Sequence, residues 1–95
     1  MAKATRASEV KNFVDIPNVG KAMERNFLLL GLKSPADLKN QDPYKLYQKM
    51  CKVSVVRQDP CVLDTYLAVV DFMNGAAIRP WWSYTTERKE KFPFI

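Results

Sequence analysis

Histidine is absent from the sequence, and with it go the commonest general base and the commonest metal ligand of proteins. Cysteine is nearly as scarce. Cys51 and Cys61 are too few for a structural zinc site, and without an export signal they are expected to stay reduced and pack as small hydrophobes. Cys61 falls near an expected helix start, where the dipole lowers a thiol pKa. Asp59 and Asp64 flank it, however, and no orienting base is available. The three glycines form neither a Walker-type loop nor a dinucleotide fingerprint. No catalytic residue, metal or cofactor is therefore expected, and the chain reads as something other than an enzyme.

Long apolar runs are missing as well. The greasiest stretch, residues 27–32, falls far short of the ~20 residues a membrane span requires. The polar start Met1-Ala2-Lys3-Ala4-Thr5-Arg6 is not followed by the apolar segment of a signal peptide. The expected setting is the cytoplasm, without membrane contact.

What is present suits one ordinary globular core. The chain has 95 residues, of which 47% are hydrophobic and 26% charged, enough for a single domain without staples. Its 15 Lys and Arg against 10 Asp and Glu leave a net charge of +5, which favours an acidic partner such as a phosphate backbone.

Helix punctuation is dense. Ser34-Pro35, Asp42-Pro43 and Asp59-Pro60 each set a capping oxygen before a proline, the pattern that opens a helix. Ser8 opens an earlier one, and Gly31 and Gly75 close two others as left-handed C-terminal residues. The spacing predicts five helices, at about 8–14, 20–30, 35–40, 43–53 and 60–74, hence an all-α fold. Met23, Phe27 and Leu30 share one face; Leu46, Tyr47, Met50 and Cys51 share another. Leu63, Tyr66, Leu67, Val70 and Met73 form a stripe on the last helix, while Val62, Val69 and Phe72 lie off it, so that helix is expected to be central and buried on two sides. Trp81 and Trp82 would point in different directions, one covering the core and the other facing a groove or solvent. A packing lid is preferred for them over base stacking. Residues 85–95 mix charges with Phe92, Phe94 and Ile95 without a period, and are expected to be a loosely held basic and aromatic tail beyond an 8–84 domain.

The segment Ile16-Pro17-Asn18-Val19-Gly20-Lys21 is a tight corner. Pro17 presets one backbone angle, Asn18 tolerates left-handed geometry and Gly20 leaves the next helix start unobstructed. Free amides at Val19, Gly20 and Lys21 would converge at the positive end of that helix, a place suited to one phosphate. Lys21 adds a full charge there, and Arg25 lies one turn further along the same face.

That corner, with the following helix to Leu30-Gly31-Leu32, resembles the helix-hairpin-helix motif, whose usual form is apolar-Pro-Gly-apolar-Gly. Asn18 stands where the first glycine is usual, and Glu24 where a small alanine is. The resemblance implies sequence-independent contact with the DNA backbone. Together with Ser34-Pro35-Ala36-Asp37-Leu38, Asp42-Pro43-Tyr44-Lys45-Leu46-Tyr47, Asp59-Pro60-Cys61-Val62-Leu63-Asp64 and Trp81-Trp82, the chain resembles the bacterial "pathogenicity locus" family. Members of that family are often labelled mitomycin resistance proteins. A weaker likeness is to the C-terminal domain of TfoX competence regulators.

The helix order fits a paired helix-hairpin-helix domain whose second hairpin, at 53–58, has no glycine and has degenerated; a solitary hairpin fits equally. On this reading Pro17, Asn18, Val19, Gly20, Lys21 and Arg25 contact DNA, with Lys11, Lys52 and Arg57 as outer contacts. Duplex DNA is the expected partner, bound weakly and with strong salt dependence. The rival is a protein-interaction module that uses the Trp81/Trp82 region.

Overall fold

The computed structural model describes residues 3–95. Met1 and Ala2, part of the polar start discussed above, lie outside them. Among the described residues there is no strand. Four α-helices, α1 (Lys21–Leu29), α2 (Pro43–Ser54), α3 (Pro60–Met73) and α4 (Thr85–Lys91), are joined by segments holding four short 3-10 turns, Ala7–Glu9, Phe13–Asp15, Pro35–Leu38 and Trp81–Tyr84. The chain is thus all-α. No described helix is long and apolar enough to cross a membrane.

The expected helix at 8–14 is instead two 3-10 turns, and the one at 35–40 is a third. The reason is a repeated local lock. In each turn the last or third residue is acidic and reaches back to amides three and four residues earlier. Glu9 accepts from Thr5 N and Arg6 N (3.0 and 3.2 Å), Asp15 from Lys11 N and Asn12 N (3.1 and 2.9 Å), and Asp37 from Lys33 N and Ser34 N (2.8 and 3.1 Å). Backbone donors favour the ionised form, and the Asp15 and Asp37 carboxyls are held below the usual range chiefly by these amides. A side chain that occupies those donors fixes a single turn and gives the backbone no reason to propagate a helix.

The proline-led starts are real, but their caps differ. Pro35, Pro43 and Pro60 all occupy first helical positions. Only Asp42 caps with its side chain, accepting from Tyr44 N and Lys45 N. At Ser34 the roles are reversed, since its amide is the donor to Asp37. Both glycine stops hold: Gly31 (φ 87°) and Gly75 (φ 104°) are left-handed. In each case the two closing bonds of a Schellman motif are present, Leu32 N to Phe27 O (3.1 Å) with Gly31 N to Leu28 O (3.0 Å), and Ala76 N to Asp71 O (2.9 Å) with Gly75 N to Phe72 O (3.0 Å).

Helix α3 is the centre. Leu63, Tyr66, Val69, Val70, Phe72 and Met73 are all buried, and α2, α4 and the turns at 35–38 and 81–84 pack around the helix. Leu67 is only half-buried, so it is a lesser core residue than its place in the stripe suggested. Helix α1 joins through Phe27, whose ring lies 5.3 Å from Phe13 and 5.8 Å from Tyr66.

The segment 85–95 differs most from expectation. It forms α4 and is anchored inside the protein, because Asp64 of α3, 1% exposed, accepts from Arg88 Nε at 2.9 Å and from Thr85 Oγ1 at 2.8 Å. Further along, the Phe92 ring stacks on Tyr44 at 4.6 Å. A helix of 7 residues has little stability of its own; a buried ion pair and a stacked ring supply it, and neither leaves a periodic trace in the sequence. Removing one partner strands a buried charge, so Asp64→Ala should lower unfolding free energy by about 3–5 kcal/mol. Urea denaturation would measure this, and a loss no larger than that of an exposed-site control would refute the anchoring role.

Candidate nucleic-acid interface

The corner between Asp15 and α1 is built by one turn. Ile16 and Val19 are fully buried and Pro17 is buried with them, so the turn is pinned by its apolar residues. Val19 N donates to Ile16 O at 3.1 Å, and Asn18 sits at φ 74°. Proline second and a left-handed residue third is the pattern of a type II turn. The bond corrects one expectation: the Val19 amide is engaged within the protein, and the Val19 side chain is core.

The next amides stand differently. Gly20 is the N-cap of α1, with no side-chain cap, and the first helical bond runs from Glu24 N to Gly20 O. Among the described residues, neither Gly20 N nor Lys21 N has an acceptor. The backbone of Gly20 is extended (φ −104°, ψ −173°), which any residue adopts, and a Cβ added there would meet nothing within 4 Å. Neither conformation nor packing in this fold requires glycine at that place.

The charges around the corner are unequal in freedom. Lys21 and Arg25 are exposed. Lys3, which sequence reasoning missed, places its Nζ on the carbonyls of Val14 and Val19 and so adds a cation to the same corner. Glu9 and Asp15 accept from the backbone amides described above, which favour their ionised forms, so each keeps its negative charge in this part of the molecule. Glu24 is half-buried on α1. Lys11 is exposed, and its backbone amide is part of the Asp15 lock. Lys52 and Arg57 are exposed but lie on α2 and the loop after it. Lys49 of α2 donates to Leu30 O at 2.8 Å, just past the C-terminal end of α1 and so away from Gly20.

The Asn18 side chain makes the least expected contact. Its Nδ2 donates to Arg79 O at 2.9 Å, and its Oδ1 accepts from Trp81 N at 3.1 Å. One amide thus pairs with the backbone of residues 79–81 as a neighbouring strand would, and brings the two tryptophans to the corner. They are not the lid: Trp81 is 37% exposed and Trp82 64%, whereas Tyr84 is buried. Burial, with Asp71 adding to it, pushes the Tyr84 phenol up to about 12. The Arg79 guanidinium lies 3.9 Å over the same ring and reaches Ser83 O and Glu87 Oε1 at 3.1 and 3.0 Å.

With this arrangement in view, a family model described as Pathogenicity locus matches residues 6–90. The chain belongs to that family. It is similar to the mitomycin resistance protein McrB of Streptomyces lavendulae, with 40% identity over 83 residues, which is 87% of this chain and 79% of that relative. No solved structure matches it. The matched residues take in the turn at 16–20, Trp81, Trp82 and nearly all of α4.

The loop after α2, the place of the second hairpin on the paired reading, has a different character. Val55 adopts φ 57° with its side chain 88% exposed, a left-handed setting that costs a β-branched residue roughly 1–2 kcal/mol. Gln58 ties the loop down, its amide donating to Cys51 Sγ at 3.3 Å and its carbonyl accepting from Tyr47 OH at 2.6 Å. Both thiols are free, and Cys61 is exposed rather than buried.

Two outcomes follow. Asn18→Gly keeps the turn's backbone and removes both bonds to the 79–81 segment, so stability should fall by about 1–3 kcal/mol and the Trp81 amide should exchange with solvent faster. An unchanged exchange rate would show that the tie does not hold that segment. Val55→Gly should raise stability by about 0.5–1 kcal/mol, relief of strain exceeding the entropy glycine adds to the unfolded chain; a lower melting temperature would count against strain there.

Proposed function

We propose that this protein binds DNA without sequence specificity, through the turn at 17–21 acting as a helix-hairpin-helix corner, and that it is a binding protein rather than an enzyme. The observation that carries the reading is the pair of amides at Gly20 and Lys21. They have no acceptor among the described residues, they open α1, and they stand behind a glycine whose missing side chain leaves the approach clear. Backbone N–H groups at a helix start, reinforced by a lysine, suit a phosphate oxygen. Lys21, Arg25 and Lys3 supply the charge, and Lys11, Lys52 and Arg57 serve as outer contacts on a chain of net charge +5. Asn18 takes the glycine's place in the motif without obstructing it, because its side chain is turned to Arg79 and Trp81.

Contacts of this kind carry no base information. They also release few counterions, so affinity is weak and falls with salt at a log-log slope of about −0.9 per phosphate engaged. The Streptomyces relative is named a mitomycin resistance protein, and we extend that link to this chain as a role in tolerance of DNA damage. A second reading, a protein-docking module, draws on the exposure of Trp82.

The test separates folding from binding at one position. Gly20→Asp supplies a good N-cap, so stability should stay level or rise by a few tenths of a kcal/mol. Like Asp42 at the start of α2, its carboxylate would take the second and third helical amides, Ala22 and Met23, and its charge beside the Gly20 and Lys21 amides repels phosphate, so affinity for a labelled duplex at low salt should be lost. Lys21→Glu should weaken binding similarly and flatten the salt slope by about one phosphate's worth. A Gly20→Asp protein that folds and binds duplex as well as the parent would remove the proposed contact.

A further inference from the structure

Trp82 is a large apolar ring left 64% exposed on a backbone that is held from both sides. On one side Asn18 pairs with Arg79 O and Trp81 N. On the other, Arg79 bonds Ser83 and Glu87 and covers the ring of Tyr84, which is itself buried. An exposed indole on a floppy tail would carry no message. On a fixed turn, the ordering cost of using it as a contact is already met before a partner arrives.

We infer that Trp82, with the partly exposed Trp81 beside it, is a stacking platform for an unpaired base. The ligand of this surface is therefore DNA in which a duplex adjoins a single-stranded stretch. The inference rests on the phosphate-binding reading above and adds the substrate class. Gly20 is two Cα steps, and Trp82 one, from the two residues the Asn18 tie joins, each step being about 4 Å. The two features therefore fall within the span of a few nucleotides. Lys3, Lys21 and Arg25 bring positive charge to the Asn18 corner, where Asp15 and Glu24 also lie; of the acids at the tryptophan turn, Glu87 is paired with Arg79 at 3.0 Å and Asp71 bears on the buried Tyr84 phenol. Cations beside open aromatic faces are the combination that holds single strands, in which every base offers a π face. An intact duplex keeps its bases stacked on one another and leaves a protruding indole nothing to stack on. A single-stranded arm next to a phosphate held at Gly20 does offer a face.

The experiment uses the full chain and fluorescence anisotropy at low salt, with a labelled blunt duplex and the same duplex bearing a single-stranded tail. The parent should bind the tailed form at least about fivefold more tightly, with quenching of tryptophan emission, as expected for one stacked base. Trp82→Ala, at an exposed position that leaves the melting temperature in place, should abolish the preference while blunt-duplex affinity is unchanged; Trp82→Phe should restore part of it. Equal affinity of the parent for the two DNAs would overturn the inference. So would a Trp82→Ala protein that keeps the preference, which would assign the indole to a protein partner, or one that loses both DNAs equally. Blunt-duplex binding that survives Lys21→Glu and Gly20→Asp marks instead a failure of the phosphate reading, so the two failures are told apart.

Discussion

Helix α3 carries buried residues around most of its circumference, from Leu63 and Tyr66 to Val69, Phe72 and Met73, so it has to be covered on more than one side at once. A chain of this size has only short elements to do that with. The α2 helix and the 35–38 turn precede or flank it, and the 81–84 turn and α4 return to it from the far end of the sequence. Asp64 makes the return specific. A carboxylate buried in the central helix demands a cation and donors in a set place, and Arg88 and Thr85 are the residues that answer it. The last quarter of the chain is therefore held to the centre, and the position of the 79–84 segment follows from that.

A second constraint acts on the first quarter. Asn18 has two roles that do not compete: its backbone takes the left-handed place in the turn, and its side chain is spent on residues 79–81. Glycine would serve the first role but not the second. The consequence reaches the corner's surface. Since the Asn18 amide points toward the returning chain, and Ile16, Pro17 and Val19 point into the core, the polar groups left facing outward at the start of α1 are backbone amides, with Lys21 and Lys3 beside them.

How much of this could be read from residues alone divides along a physical line. Features decided within four or five residues were legible: proline at the helix starts, left-handed Gly31 and Gly75, the two-sided burial of α3, and the bend at Pro17-Asn18. The 3-10 turns are the local exception, because an Asp or Glu folded back on amides three and four residues earlier looks, in sequence, like an ordinary first-turn acid. Glu9 and Asp15 were the signal, three and four residues after the amides they bind. Features decided by residues twenty to sixty positions apart left no local pattern. The Asp64–Arg88 pair made an aperiodic segment helical, and the Asn18–Trp81 tie set the tryptophans beside the turn and made Tyr84 the lid.

The choices a fold does not need are informative about what else a surface is for. Gly20 is required neither by its backbone angles nor by any neighbour, and at an N-cap several other residues would satisfy the helix better. Trp82 buries little, and an exposed indole adds less to stability than it adds to the risk of unwanted association. Chance would scatter two such choices over the surface. Here Asn18 brings them to one corner, through bonds to residues 79 and 81, and Lys21 and Arg25 are exposed beside it while Asp15 and Glu24 are half-buried. On the proposed reading, an uncapped helix start, exposed cations and a fixed aromatic face at one place suit the two faces of a nucleotide, its phosphate and its base, better than they suit the apolar, charge-depleted centre of a protein docking patch.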